Sequence, residues 1–173
     1  MRRPSPDEFA PYYAMYIDRV PDGDIVSYLG DQASRLGAVY DAIPADRGHY
    51  RYAPGKWSLN ELIGHVNDVE RMFCGRALAF ARRDPTPYPA MEQDAWVDAA
   101  GADRLETAVL AAEFQAIRTA TLAFFRTLTP QQWNCRGVAS GREFSVSAIA
   151  WILAGHADHH AQVLGVRYLE RTE

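Results

Sequence analysis

Two histidines, His156 and His160, stand one helical turn apart inside the stretch Trp151 to Gly165, WILAGHADHHAQVLG. On an α-helix, residues i and i+4 lie one above the other on the same face, so both imidazoles aim at one point. At roughly 100° per residue they fall in the middle of an apolar stripe of Ile149, Ile152, Leu153, Val163 and Leu164, which turns them into a core. A buried histidine pair costs desolvation unless each ring nitrogen finds a partner, and a divalent cation at the shared focus satisfies both. The third ligand is expected from His65, at the edge of another helix's stripe and about 80° from its centre, in line with Glu61, Asp68 and Met72. His159, at the edge of its own stripe, is expected as a rim residue or outer donor. His49 sits alone in a tyrosine-rich loop and reads as a structural or surface residue.

Three neutral imidazoles leave a divalent ion with at least one open coordination position, the arrangement of catalytic rather than structural zinc sites. A water in that position has its pKa lowered towards ~7, and a small-molecule thiol is deprotonated, so hydrolysis and thiol transfer both become accessible. Zinc or nickel is the expected ion, and iron or cobalt also suits imidazole. The free ring nitrogens need acceptors; Glu61 and Asp68 are the candidates, while Asp158 points away from His156 and His160 on the helical wheel. No glutamate follows the first histidine of the pair, so the His-Glu-x-x-His peptidase mechanism is not supported. The plainer alternative is that the three histidines are only hydrogen-bonded within a helical core.

Four long amphipathic segments must position these residues. The first runs from Ile25 to Ile43, with Ile25, Leu29, Ala33, Leu36, Val39, Tyr40 and Ile43 at spacings of three and four, and Pro44 ends it. Ser58-Leu59-Asn60-Glu61 is a capping box opening the second, whose apolar positions are Leu59, Leu62, Val66, Val69, Phe73, Ala77 and Phe80, with Pro85 as its stop. Residues 84–102 hold three prolines and no sustained period, which predicts a long connection across one end and a candidate lid. Asp103 with Glu106 resembles a capping box for the third helix, which ends before Pro130. The stretch QQWNCRGVASGREF is turn-rich, and Ser145 caps a fourth helix reaching to about Tyr168. These segments, without a clear alternating strand, predict an all-α four-helix bundle. Residues 1–22, with four prolines among aromatics, predict an N-terminal arm on a single domain of residues 23–173.

The chain has 173 residues and 48% apolar composition, enough for one sizeable core. A net charge of −4 and a pI near 5.7 argue against a nucleic-acid partner. No apolar run approaches membrane-spanning length, and the start MRRPSPDEF lacks a signal-peptide core, so a cytoplasmic protein with no membrane partner is expected. Cys74 and Cys135 are far apart and expected to be reduced thiols. Trp151 falls opposite His156 and His160. Either a homodimer interface or the N-terminal arm is expected to cover it.

The pattern APGKWSLNELIGHVNDVER, a long connection, and then GREFSVSAIAWILAGHADHHAQVL resembles the DinB-like (DinB/YfiT) family across essentially the whole chain. The resemblance implies a four-helix bundle carrying a divalent metal on one histidine of the second helix and two of the last. Those positions are His65, His156 and His160, and Trp57 and Glu70-Arg71 also match. It further implies a metal-dependent enzyme, a thiol-dependent transferase or a hydrolase acting on a small molecule, with a low-molecular-weight thiol as a candidate cofactor. The alternative is a non-catalytic metal-binding or stress-associated helical protein.

Overall fold

The computed structural model describes residues 2–169; the last four residues of the expected domain, 170–173, lie outside the described residues. The chain forms α1 (Ala14–Ile17), α2 (Ile25–Asp41), α3 (Leu59–Ala81), α4 (Gln93–Ala100), α5 (Thr107–Arg126), α6 (Pro130–Trp133), the strands β1 (Arg136–Ala139) and β2 (Arg142–Ser145), and α7 (Val146–Val163). A π-helical turn, Leu164–Leu169, ends the described chain. The four long helices α2, α3, α5 and α7 make the expected bundle. Each of α5 and α7 packs against both α2 and α3, which leaves the consecutive helices α2 and α3 at opposite corners.

Local chemistry sets the helix starts. Asp24 accepts from the Ser27 amide at α2, Ser58 and Glu61 form the predicted reciprocal box at α3, and Ser145 accepts from the Ala148 amide at α7. The expected box at Asp103 is not formed. Asp103 sits in a 3-10 turn before α5 and takes hydrogen bonds from Ser58 Oγ and Arg51 Nη2 instead, and Glu106 is the residue at the cap. A side chain recruited by another element is no longer free to cap its own.

Two further elements depart from the expectation. The turn-rich stretch is a β-hairpin whose turn, Ser140-Gly141, has φ of 53° and 70°, the left-handed pair that suits the twist of two strands. Its four-residue strands are too short to show an alternating pattern. The long connection carries the short helix α4, which contributes only Val97 to the core. The connection is pinned rather than loose: Tyr88 N donates to Val138 O and Ser140 N donates to Tyr88 O, both at 2.9 Å. By length and composition α5 alone among the described helices would suffice to cross a membrane, but Glu113 and Arg118 interrupt its apolar run. Here it is a bundle helix with Arg118 in its buried face.

The N-terminal segment docks on α7 through Gly155. A Cβ on Gly155 would stand 1.9 Å from Tyr16 O, so only glycine lets the two backbones approach this closely. Trp151 is fully buried, with the Arg3 guanidinium 4.7 Å from its ring centroid. The arm therefore covers this tryptophan, and the argument for a dimer through its exposure falls away.

A polar network joins the four bundle helices. Arg118 of α5 makes a bidentate pair with Glu70 of α3 at 2.7 and 2.8 Å, and donates to Leu29 O and Gln32 Oε1 of α2. Gln32 in turn donates to Ala154 O of α7, two residues before His156. Every group in this buried chain has a partner, the condition under which an interior charge is tolerated.

Candidate metal centre

His65 lies on α3 and His156 and His160 on α7, and the structure brings the three together. Their candidate ligand atoms all lie within 4.8 Å of one another, and the Nε2 atoms of His65 and His156 are 3.2 Å apart. A tetrahedral ion with nitrogens at about 2.05 Å spaces its ligands about 3.3 Å apart, so this pair already has the required separation. His65 and His156 are buried, the former more deeply than its stripe-edge position predicts, and His160 is half-buried.

The surroundings hold all three rings neutral. Burial drives His65 down to about 4, offset in part by the Asp94 carboxylate. It drives His160 down to about 3, with the neighbouring histidines adding to the effect. His156 is pushed well below its ordinary 6.5, by burial first and then by His160, His65 and His159. Unprotonated imidazoles keep their lone pairs available to a cation. The plain hydrogen-bonding alternative fits less well: it accounts for one contact, between Nε2 of His65 and of His156, and gives His160 no hydrogen bond among the described residues although its Nδ1 is buried. The donor set therefore fits a divalent ion.

Aromatic rings brace the cluster. Trp57 packs on His65 at 4.7 Å between centroids, and Tyr16 meets His156 edge-on at 5.4 Å and His159 at 5.6 Å. Tyr168, in the π-helical turn after α7, donates to Trp57 O at 2.7 Å and so fixes the segment that carries this tryptophan. His159 lies at the rim, its ring against Tyr16 and His160.

The carboxylates expected behind the histidines are engaged elsewhere. Glu61 is held by Arg51 and the Ser58 amide at the start of α3, and Asp68 lies 3.7 Å from Arg71. Asp158 accepts from Tyr28 Oη at 2.6 Å, in keeping with its outward direction on the wheel. Among the described residues no histidine donates to any of the three. His49 is exposed at the far loop, 3.6 Å from Asp103.

Two cavities meet the cluster. One, of about 540 Å³, is lined by His65 and His156 together with Tyr13, Tyr16, Met72 and Arg76. The other, of about 400 Å³, is lined by His159 and His160 with Lys56, Trp57 and Tyr168. Gln93 and Asp94, at the start of α4, line both and form the roof between them. Asp94 was not legible in the sequence, because an aperiodic segment gives no direction to its side chains. Arg76 was legible in principle, since it falls three residues after Phe73 and four before Phe80, on the apolar face of α3.

Fold and site together define an all-α four-helix bundle with a three-histidine cluster between two of its helices. The chain belongs to the DinB superfamily, whose sequence profile matches residues 28–164. No curated protein matches it in sequence. Among solved structures it is similar to YfiT from Bacillus subtilis, described as a probable metal-dependent hydrolase with an unusual four-helix bundle topology; the TM-score is 0.67 at 15% identity, over 92% of this chain and 87% of that one. It is also similar to a mycothiol-dependent maleylpyruvate isomerase, with a TM-score of 0.71 at 18% identity over 86% of this chain, which spans 62% of the isomerase's length. A DinB-like protein from Bacillus subtilis matches at 0.61 and 21% identity, over 87% of this chain and 94% of that one. At these identities the likeness establishes the fold.

Proposed function

We propose that His65, His156 and His160 hold a divalent metal ion, zinc or nickel before iron or cobalt, and that the protein is a metal-dependent enzyme acting on a small molecule. The observation that carries this reading is the pair of cavities that reach one buried cluster of neutral imidazoles from two sides. An ion kept only for structure is closed off by protein, whereas catalytic sites keep an open approach. When bound, such an ion polarises a substrate oxygen and lowers the pKa of a coordinated water or thiol.

The protein's own residues supply the rest. Tyr16 and Trp57 fix the imidazole planes and keep bulk water from two sides of the cluster. Asp94, shared by both cavities, is the carboxylate placed to take up or deliver a proton between their contents. Two spaces on one centre suit a reaction of two small molecules, which favours a transferase using a low-molecular-weight thiol over a hydrolase. The similarity to a mycothiol-dependent isomerase supports the same choice, and that to a probable metal-dependent hydrolase keeps the hydrolase as second reading. Neither Cys74, whose thiol burial pushes up, nor the chain's other free cysteine, Cys135, lines either cavity, so the thiol is a separate molecule. A reducing, cytoplasmic setting suits both.

The test is cobalt substitution. Adding a small thiol or azide to the Co²⁺ protein should change the visible spectrum of wild type and of His159→Ala alike. A spectrum that neither ligand perturbs would replace the enzyme with a non-catalytic metal-binding protein.

A further inference from the structure

Among the described residues the bundle buries two guanidinium groups, Arg118 and Arg76, and treats them differently. Arg118 is compensated by both carboxylate oxygens of Glu70 and by two further acceptors, Leu29 O and Gln32 Oε1. Arg76 is 4% exposed, yet among the described residues no carboxylate lies within ion-pair distance of it. Its Nη2 donates to Pro89 O, its Nε is buried with no acceptor, and its other contact is the face of Phe73, 5.3 Å from the guanidinium carbon. Burial lowers its pKa, with Tyr13 as the opposing influence. An unpaired buried cation is costly and is retained where an anion comes to it.

Arg76 lines the cavity of about 540 Å³ that opens on His65 and His156. Eleven residues separate His65 from Arg76 on α3, close to three full turns, so both lie on one face about 16 Å apart along the axis. The two are joined by the cavity itself, which both line. The walls between are Val69, Met72 and Phe73, while Glu92 and Asp94 face the cavity from the roof. Two acidic groups there disfavour a doubly charged phosphate more than a single carboxylate.

We propose that Arg76 is the anchor for a carboxylate group and that the substrate is a small carboxylic acid, its acid end on Arg76 and its reactive end at the histidine cluster. Nη2 is held by Pro89 O and Nε is sealed, so Nη1 is the donor that meets the anion, in a charge-assisted hydrogen bond. This assignment rests on reading the cavity as the substrate site, but its anchor operates without metal.

The experiment therefore uses the metal-free full chain at neutral pH, titrated with hexanoate, neutral hexanamide and inorganic phosphate at up to roughly 10 mM, well above a millimolar Kd. In wild type, hexanoate should bind saturably and shift the Arg76 Nε–H resonance, and hexanamide should do neither. Arg76→Gln should weaken hexanoate binding about tenfold or more, and Arg76→Lys, which keeps the charge but changes the donor's reach, should fall between, as loss of a charge-assisted contact predicts. His49→Ala, outside the cavity, should bind hexanoate like wild type, and because the chain is metal-free a failure of the metal reading leaves this result standing. An unmoved Arg76 resonance, equal binding of hexanoate and hexanamide, or an unchanged affinity in a folded Arg76→Gln would each overturn the anchor. Phosphate binding tighter than hexanoate would overturn the carboxylate class.

Discussion

At the residue scale, the distinction is between side chains whose direction a helix imposes and those whose direction only the fold imposes. His156 and His160 were readable because a spacing of four on an apolar stripe fixes both direction and burial. Glu61 and Asp68 had the right proximity in sequence, but arginines had claimed them. Asp94 and the aromatic brace of Tyr16 come from segments without a period, so nothing in the sequence aimed them at the cluster. Two outcomes belong here. If the three imidazoles share an ion, metal at ~100 times its Kd adds roughly 2.7 kcal/mol to the unfolding free energy. That increment, read from denaturant melts with and without metal, should vanish in His160→Ala and persist in His49→Ala. The second concerns acid. The folded pKa values of His65, about 4, and His160, about 3, lie below the ordinary 6.5, and that of His156 is lowered as well. The unfolded chain therefore takes up protons first as pH falls. The metal-free protein should keep its full stability above pH 6.5. It should lose about 1.4 kcal/mol per pH unit per histidine as pH drops from there towards 4, and less for the part-exposed His160. Equal unfolding free energies at neutral pH and at about pH 5 would contradict this.

At the element scale, the long helices declared themselves through periodicity and the caps of Asp24, Ser58 and Ser145. The hairpin and α4 did not, since neither is long enough to establish a repeat. The arm over Trp151 was among the expectations, but the point at which it docks was not legible for another reason: it depends on an absent side chain, and a glycine in a helix does not announce what approaches it. Gly155→Ala should therefore force Tyr16 off α7, costing about 1–3 kcal/mol as an overpacked contact does. Tryptophan emission should shift to the red as Trp151 gains water. A variant with wild-type stability and emission would show that the arm is not held there.

At the scale of the whole molecule, the Glu70–Arg118 pair and Gln32 tie the four bundle helices together, and the last link of that chain ends on α7 just before the histidine pair. Arg118→Ala strands a buried carboxylate and should cost about 3–5 kcal/mol in a denaturant melt; a cost below about 1 kcal/mol would show the network to be incidental. The sequence suggested that Glu70 matters through its match to the family pattern, but its partner on α5 became visible only once the helices were packed. The same assembly decides the metal site, because His65 meets His156 and His160 only when α3 and α7 lie side by side. The most direct measurement is the metal content of untagged protein purified without chelator. About one divalent ion per chain in wild type, and almost none in folded His65→Ala and His160→Ala, is the predicted result. Metal-free wild type that also fails to take up zinc or nickel, or equal metal in all three proteins, would contradict it.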